Sequence, residues 1–312
     1  MEIQFLKNPR FDFLSKARYF IALSLVLILG GLGHMVSRGV RYGVEFSGGT
    51  QLIARFQNTP EVDKIRDAVA AVAPGAVIQS YDDPVRNQVL IRIAKTGEEE
   101  LSAVARDVLK ALGTSYAANP VVESSTEIVG PVVGAELRQK AVNLTLFGLL
   151  FQLVYIAWRF HGAVWGAAAT VAVFHDVLVS LGLLGFFGYE ITLNVIAALL
   201  TLVGYSVNDT IVIFDRVREN LRQRRKEPLA TIINDSVNQT LSRTLISNGT
   251  TFLTVLGLFL FGGEVLRGFS FTMVVGIVVG TYSTIYIASP VVVWWEGRRG
   301  GKGAAATAKA AL

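Results

Sequence analysis

Six long apolar runs divide the chain, at about 19–36, 141–158, 163–187, 191–214, 245–262 and 269–295. Each is long enough to cross a hydrocarbon core, which takes about 17–25 helical residues. The stretch between the first two, 37–138, has a different texture. "TQLIARF" (50–56) alternates apolar and polar positions as a strand does. Val62, Ile65, Val69 and Val72 recur at helical spacing, with Thr59 expected as N-cap and Pro60 in the first turn. "AVIQSYD" and "NQVLIRIA" predict two strands about a turn at Asp82, Asp83 and Pro84. "GEEELSAVARDVLKALG" predicts an amphipathic helix closed by Gly113, and "SYAANPVVESSTEIV" a last strand. The order βαββαβ is that of a small ferredoxin-like α+β unit, a fold that hosts many functions.

The expected fold class is therefore a polytopic α-helical membrane protein of six transmembrane helices, with this α+β domain between helices 1 and 2. The expected division is 1–18, 19–36 (helix 1), 37–138 (outer domain), 139–295 (helices 2–6, with a loop at 215–244) and 296–312. Helices at 37–45 and 131–140 are expected to join the outer domain to spans one and two. Pro228 should start a helix whose apolar face, Leu229, Ile232, Ile233, Val237 and Leu241, lies at the membrane interface. The tail 296–312 is low in complexity and expected to be disordered.

Composition agrees. Apolar residues make up 52% and charged residues only 17% of the 312, against roughly 25% charged in soluble domains. The basic positions then set orientation. Lys7, Arg10, Lys16 and Arg18 precede span one. Arg159 lies in the 2–3 loop, Arg216, Arg218, Arg222, Arg224, Arg225, Lys226 and Arg243 in or beside the 4–5 loop, and Arg298, Arg299, Lys302 and Lys309 follow span six. The opposite short loops hold only Arg267. By the positive-inside rule both termini are cytoplasmic and 37–138 is extracytoplasmic. The first run is longer than a signal-peptide core and no A-x-A-like site closes it, so it is expected to remain as an anchor. The basic excess, +5 overall, is thus accounted for by the lipid bilayer and gives no call for nucleic acid.

Polar residues inside the spans are the candidate chemistry, because a charge at the bilayer centre costs about 2.5–3.5 kcal/mol on insertion scales and is functional by default. Span four presents Asn194, Ala198, Thr201, Tyr205 and Asn208/Asp209 at steps of three or four. Span five presents Arg243, Ser247, Asn248, Thr250, Thr251 and Thr254. Asp209 lies 18 residues past Ile191, about 27 Å along a helix, hence in the inner half and within reach of Arg243. The two are expected either to handle a proton or ion or to form a structural ion pair. His175 and Asp176 fall near mid-membrane in span three, where they either relay protons or close an inter-helix hydrogen bond. Asp215 and Arg216 are expected to mark the boundary, and Gly276 and Gly280 a close helix contact. There is no G-x-S-x-G, H-E-x-x-H or Walker-type motif, and with three histidines and no cysteine no transition-metal site is expected. The chain is not expected to be an enzyme or to hold a cofactor.

The wording of "FSGGTQL" (46–52), "VGPVVGAEL" (129–137), "FHDVLVSLG" (174–182), "VIAALLTLVGYSVNDTIVIFDRVREN" (195–220) and "SVNQTLSRTLISNGTT" (236–251) resembles the SecF family of protein-export membrane subunits, over nearly the whole chain. The resemblance implies one half of a resistance-nodulation-division (RND)-like membrane fold. Its partner SecD would supply a pseudo-symmetric second set of six spans. It implies a bacterial inner-membrane location and use of the proton-motive force to promote export of unfolded preproteins, working with the SecY-E-G channel, the SecA ATPase and YajC. The family's essential carboxylate and arginine fall on Asp209 and Arg243, with Asn208, His175, Asp176, Ser247, Thr250 and Thr251 as supporting polar groups. Proton or sodium as the coupled ion stays open. So do two other functions, an RND-type exporter of small molecules or lipids and a non-transporting scaffold for membrane-protein assembly.

Overall fold

The computed structural model describes residues 9–81, 87–93, 98–160 and 163–298. The Asp82, Asp83, Pro84 turn and the tail from 299 onward lie outside these described residues. Among the described residues six helices are long and apolar enough to cross a membrane, and the chain is a multi-pass membrane protein. Five are α1 (Ala17–Arg38), α5 (Pro131–Phe160), α6 (Ala163–Phe186), α7 (Leu193–Gln223) and α8 (Leu229–Phe261). The sixth is a single rod made of α9 (Gly263–Ser283), a π-helical turn (Thr284–Ala288) and α10 (Ser289–Arg298).

Between α1 and α5 lies the α+β unit: α2 (Val44–Ser47), β1 (Gly49–Phe56), α3 (Val62–Ala70), β2 (Val77–Tyr81), β3 (Gln88–Ile93), α4 (Glu98–Ser115) and β4 (Val121–Val129). The strands form one antiparallel sheet in the order β2-β3-β1-β4, with Leu52 opposite Ile91 on one side and Thr126 on the other. Alternation in β1 turns Leu52, Ala54 and Phe56 to one face. There they are buried with Val89, Ile91 and Ile93 of β3 against Ile65 and Val69 of α3 and Val108 and Leu112 of α4.

Two helix ends depart from expectation. Thr59 does not cap α3, which begins two residues after Pro60. A residue before proline is pushed to extended backbone, and tertiary bonds hold this one there. Asn119 Nδ2 donates to Asn58 O at 2.9 Å, and the Glu61 N–H donates to Tyr116 Oη at 3.1 Å. Gly113 does not end α4 either; the helix runs on to Ser115 and closes with Tyr116 N–H on Leu112 O.

The membrane bundle is built around α6, α7 and the α9–α10 rod, whereas α1 and α5 expose most of their length. Close approach needs small residues. A Cβ on Gly31 of α1 would stand 2.5 Å from the Gly182 Cα of α6, so the two backbones touch there. Gly276 and Gly280 likewise let α9 approach Leu202 and Ser206 of α7.

Two expected connections are built differently. No helix spans 37–45: Gly39 ends α1 at φ +80°, and the strap that follows pairs with the α6–α7 turn. Ile191 N–H donates to Arg41 O at 2.8 Å and Gly43 N–H to Ile191 O at 2.9 Å. Arg92 of β3 pairs with Glu190 in the same turn. The amphipathic stretch after Pro228 leads straight into span five, as the first part of the 33-residue α8. Its Ile232, Ile233 and Val237 are buried in the protein core. The inner extension of α7 supplies polar clasps, Asn220 Nδ2 to Ser236 Oγ at 2.8 Å and Arg224 to Asp235 at 2.7 Å. Asn234 and Asn238 bind the backbone of Phe11 and Phe13. The apolar face therefore has protein, not lipid, to cover it.

Candidate functional site: a polar seam between α6, α7, α8 and α9

Asp209 and Asp176 are both buried, at 4% and 0% exposure. An α-helix sets residues three and four apart on one face, so α7 presents Tyr205, Ser206, Asp209 and Thr210 inward together. On the α8 side, Asn248 Nδ2 donates to Asp209 Oδ2 at 2.5 Å and to Thr281 Oγ1 at 2.7 Å. The Tyr205 hydroxyl donates to Asn248 Oδ1 at 2.9 Å. One amide thus spends both donors and its acceptor tying three helices together.

On the α6 side, Asp176 accepts from Ser206 Oγ at 2.5 Å and from Ser283 Oγ at 2.9 Å, and its other oxygen lies 2.8 Å from His175 Nδ1. The far nitrogen of His175 is 3.4 Å from Tyr282 Oη, which in turn is 3.1 Å from Ser24 Oγ of α1. Thr210 and Thr284 hydroxyls meet at 3.0 Å, in the first residue of the π-helical turn. Two polar clusters therefore lie along the bundle, one from Ser24 of α1 through His175 and Asp176 to Ser206 and Ser283, the other around Asp209, Asn248, Thr281 and Tyr205, and α7 contributes to both. Buried polar groups of this density need mutual hydrogen bonds, because an unpaired one in a dry interior costs several kcal/mol.

Not every polar residue singled out from the sequence joins this seam. His175, Asp176 and Asp209 do. Arg243 stands exposed one and a half turns before Asn248 and makes no ion pair within 4.0 Å among the described residues. Asn208 is exposed. Thr250 is exposed and bonds back to the Ile246 carbonyl of its own helix. Thr251 bonds back to the Ser247 carbonyl, while the Ser247 and Thr251 hydroxyls both reach the Tyr205 hydroxyl at the rim of the seam. Asp215 pairs with Arg159 at 2.8 Å, joining α7 to the end of α5.

Asn248, Ser206, Ser283 and Thr281 are the partners that motif wording left without a role. A signal for Asn248 was present. The buried side of α8 runs Ile233, Val237, Leu241, Thr244, Asn248 in steps of four, four, three and four, so the apolar face recognised at its start continues straight to the amide.

Six membrane-crossing helices, a small antiparallel sheet inserted after the first, and buried carboxylates in a polar seam define a multi-pass membrane protein with ionisable groups at its core. The family "Protein export membrane protein SecD/SecF, C-terminal" matches residues 108–298, and the "SecD/SecF GG Motif" matches 35–60. The chain belongs to the SecD/SecF family of protein-export membrane proteins. It is 36% identical to the protein translocase subunit SecF of Koribacter versatilis, over 97% of this chain and 96% of that one. To SecF of Calditerrivibrio nitroreducens it is 40% identical, over 93% and 96%. The crystal structure of SecDF, a translocon-associated membrane protein from Thermus thermophilus, superposes with a TM-score of 0.81 at 40% identity, covering 96% of this chain and 40% of that one.

Proposed function

We propose that this chain works as the SecF-type half of a two-part export machine. With SecD it uses the proton-motive force to promote translocation and release of unfolded preproteins across the bacterial cytoplasmic membrane, at the SecY-E-G channel and downstream of SecA, with YajC as a further partner. Asp209 and Arg243 carry the coupling; His175, Asp176, Asn208, Ser247, Thr250 and Thr251 support it. The coupled ion is a proton, with sodium as the alternative.

One observation carries the proposal. The buried Asp209 of α7 and its partner Asn248 of α8 lie on the same two helices as an exposed polar strip, Asn208 of α7 and Arg243, Ser247 and Thr250 of α8. Facing lipid, an arginine alone costs about 2.5–3.5 kcal/mol on insertion scales. A strip of this kind calls for a protein cover, and a second six-helix half is a cover of the right shape. SecDF relatives have room for it, since this chain spans only 40% of the Thermus thermophilus SecDF. Closing that cover over Asp209 and Arg243 brings carboxylate and guanidinium into one dry site. Opening it lets the carboxylate exchange its proton. One charge crossing 100 mV supplies about 2.3 kcal/mol, nearly a fiftyfold population shift.

We assign residues 37–138 to the extracytoplasmic side and both termini to the cytoplasm, on the distribution of lysine and arginine. The strand order β2-β3-β1-β4, with α3 and α4 on one face, is the order of a ferredoxin-like unit. The test is Asp209→Asn in membrane vesicles holding the full complex. Gradient-stimulated preprotein export should vanish while co-purification with SecD is unchanged. Undiminished export refutes the coupling, and lost co-purification favours the scaffold function instead.

A further inference from the structure

At the end of α1 and α6, where both helices leave the apolar zone, a cavity of about 440 Å³ is lined by His34, Arg38 and Arg41 on one side and Phe186, Phe187 and Tyr189 on the other. Its volume lies in the roughly 300–1,000 Å³ range of ligand pockets. The charge balance inside it is one-sided. Neither Arg38 nor Arg41 makes an ion pair among the described residues, and no carboxylate lines the cavity. Glu190, the nearest acid in sequence to the Gly188–Tyr189 wall, is engaged with Arg92. Arg41 spends one N–H on the Gly188 carbonyl at 3.4 Å, which leaves most of its five donors free. Both arginines are exposed on their outer side and border a half-open cavity, with their stems along the apolar helix end as for an interfacial arginine.

The surroundings specify the ligand further. Below the cavity α1 presents Leu25, Val26, Leu29 and Val36 outward, all strongly exposed, and membrane-spanning surface of that kind is acyl-chain territory. We infer that this cavity binds the phosphate headgroup of an anionic phospholipid, with the acyl chains lying along the exposed apolar stripe of α1. The guanidinium forks take the phosphate oxygens, and the aromatic wall covers the glycerol. The inference is independent of the export proposal and of which side of the membrane this end faces.

The test uses the full chain purified in a non-ionic detergent, with binding read by native mass spectrometry. Phosphatidylglycerol should be retained in preference to phosphatidylcholine. An Arg38→Gln/Arg41→Gln double variant should lose about thirtyfold in phosphatidylglycerol affinity, from roughly 1 kcal/mol for each basic residue at an anionic surface. Arg38→Lys/Arg41→Lys should keep most of it. Met35→Trp, which fills the cavity and leaves both arginines in place, should lose it as well and guards against a misfolded double variant. Equal retention of the two lipids, undiminished binding by the double variant or by Met35→Trp, or displacement by inorganic phosphate at equal concentration each overturns the assignment.

Discussion

Asn248→Ala removes the side chain that holds Asp209, Thr281 and Tyr205 together. Three hydrogen bonds between membrane helices disappear. In water-soluble proteins a bond to a charged group is worth about 1.5–3 kcal/mol. Within membranes, measured couplings average only about 0.6 kcal/mol, with a maximum near 1.7, because the separated helices find other partners. The membrane figure governs here, since all three bonds join one spanning helix to another. The expected loss is therefore about 2 kcal/mol, enough to weaken the bundle without unfolding it. The Asp209–Asn248 bond is the shortest of the three and carries the largest single share. A double-mutant cycle isolates that share: Asn248→Ala, Asp209→Ala and the double variant, each unfolded in detergent micelles with the helical signal followed. The two single losses should overshoot the double loss by about 0.6–1.7 kcal/mol. Additivity to within about 0.3–0.5 kcal/mol, the behaviour of distant sites, would refute the claim that this amide and this carboxylate act as a unit.

Other expectations follow from single contacts. Arg92→Ala leaves Glu190 without its partner, so amide exchange in β3 and in the turn at 187–192 should quicken while α6 and α7 keep their protection. Exchange unchanged in that turn would count against the tie. Gly31→Val forces a Cβ into the Gly182 backbone, and overpacking of this kind costs about 1–3 kcal/mol; Gly33→Val, with nothing within 4 Å of its Cβ, should cost far less, and equal losses would reject the close crossing. The Arg224 guanidinium beside Glu227 holds that carboxyl below its ordinary value. A carboxyl depressed in the folded state stabilises above its unfolded pKa, about 4.3, and the contribution fades as pH falls through the folded value. Protection of the amides at residues 224–229, measured against their intrinsic exchange rates at each pH, should therefore fall on acidification below about pH 4 and show no matching fall at alkaline pH. Arg224→Gln should remove the acid effect; a response identical in both proteins disproves the link.

The parts of the fold set by local pattern were legible in the sequence. Six apolar runs became six long helices, and the alternation in "TQLIARF" put Leu52, Ala54 and Phe56 on the covered face of β1. What escaped depended on tertiary partners. Thr59 looks like a cap until Asn119 captures the neighbouring carbonyl. The apolar face after Pro228 looks lipid-bound until α7 extends inward to meet it and cover Ile232 and Ile233. In the candidate site, the carboxylates announced themselves as charges in hydrocarbon. Their partners did not, because serine, threonine and asparagine are ordinary in membrane helices, where hydroxyls commonly bond to their own backbone, as Thr250 does. Arg243 was legible as a charge, but it stands exposed and makes no ion pair within 4.0 Å among the described residues.

The clasp at the N-terminal tip of α7 has a mechanical side. Strap 39–43, Glu190 and β3 grip the turn from which this 31-residue helix departs. At about 1.5 Å per residue the helix is a rod of some 46 Å, and Asp209 hangs about 24 Å along it from Leu193. Swinging such a rod by about five degrees about its gripped end carries Asp209 sideways by about 2 Å and the inner end by about 4 Å. The first displacement exceeds what a 2.5 Å hydrogen bond to Asn248 tolerates. The grip on that turn therefore fixes, at the far end of a long lever, where the Asp209 carboxylate sits against Asn248.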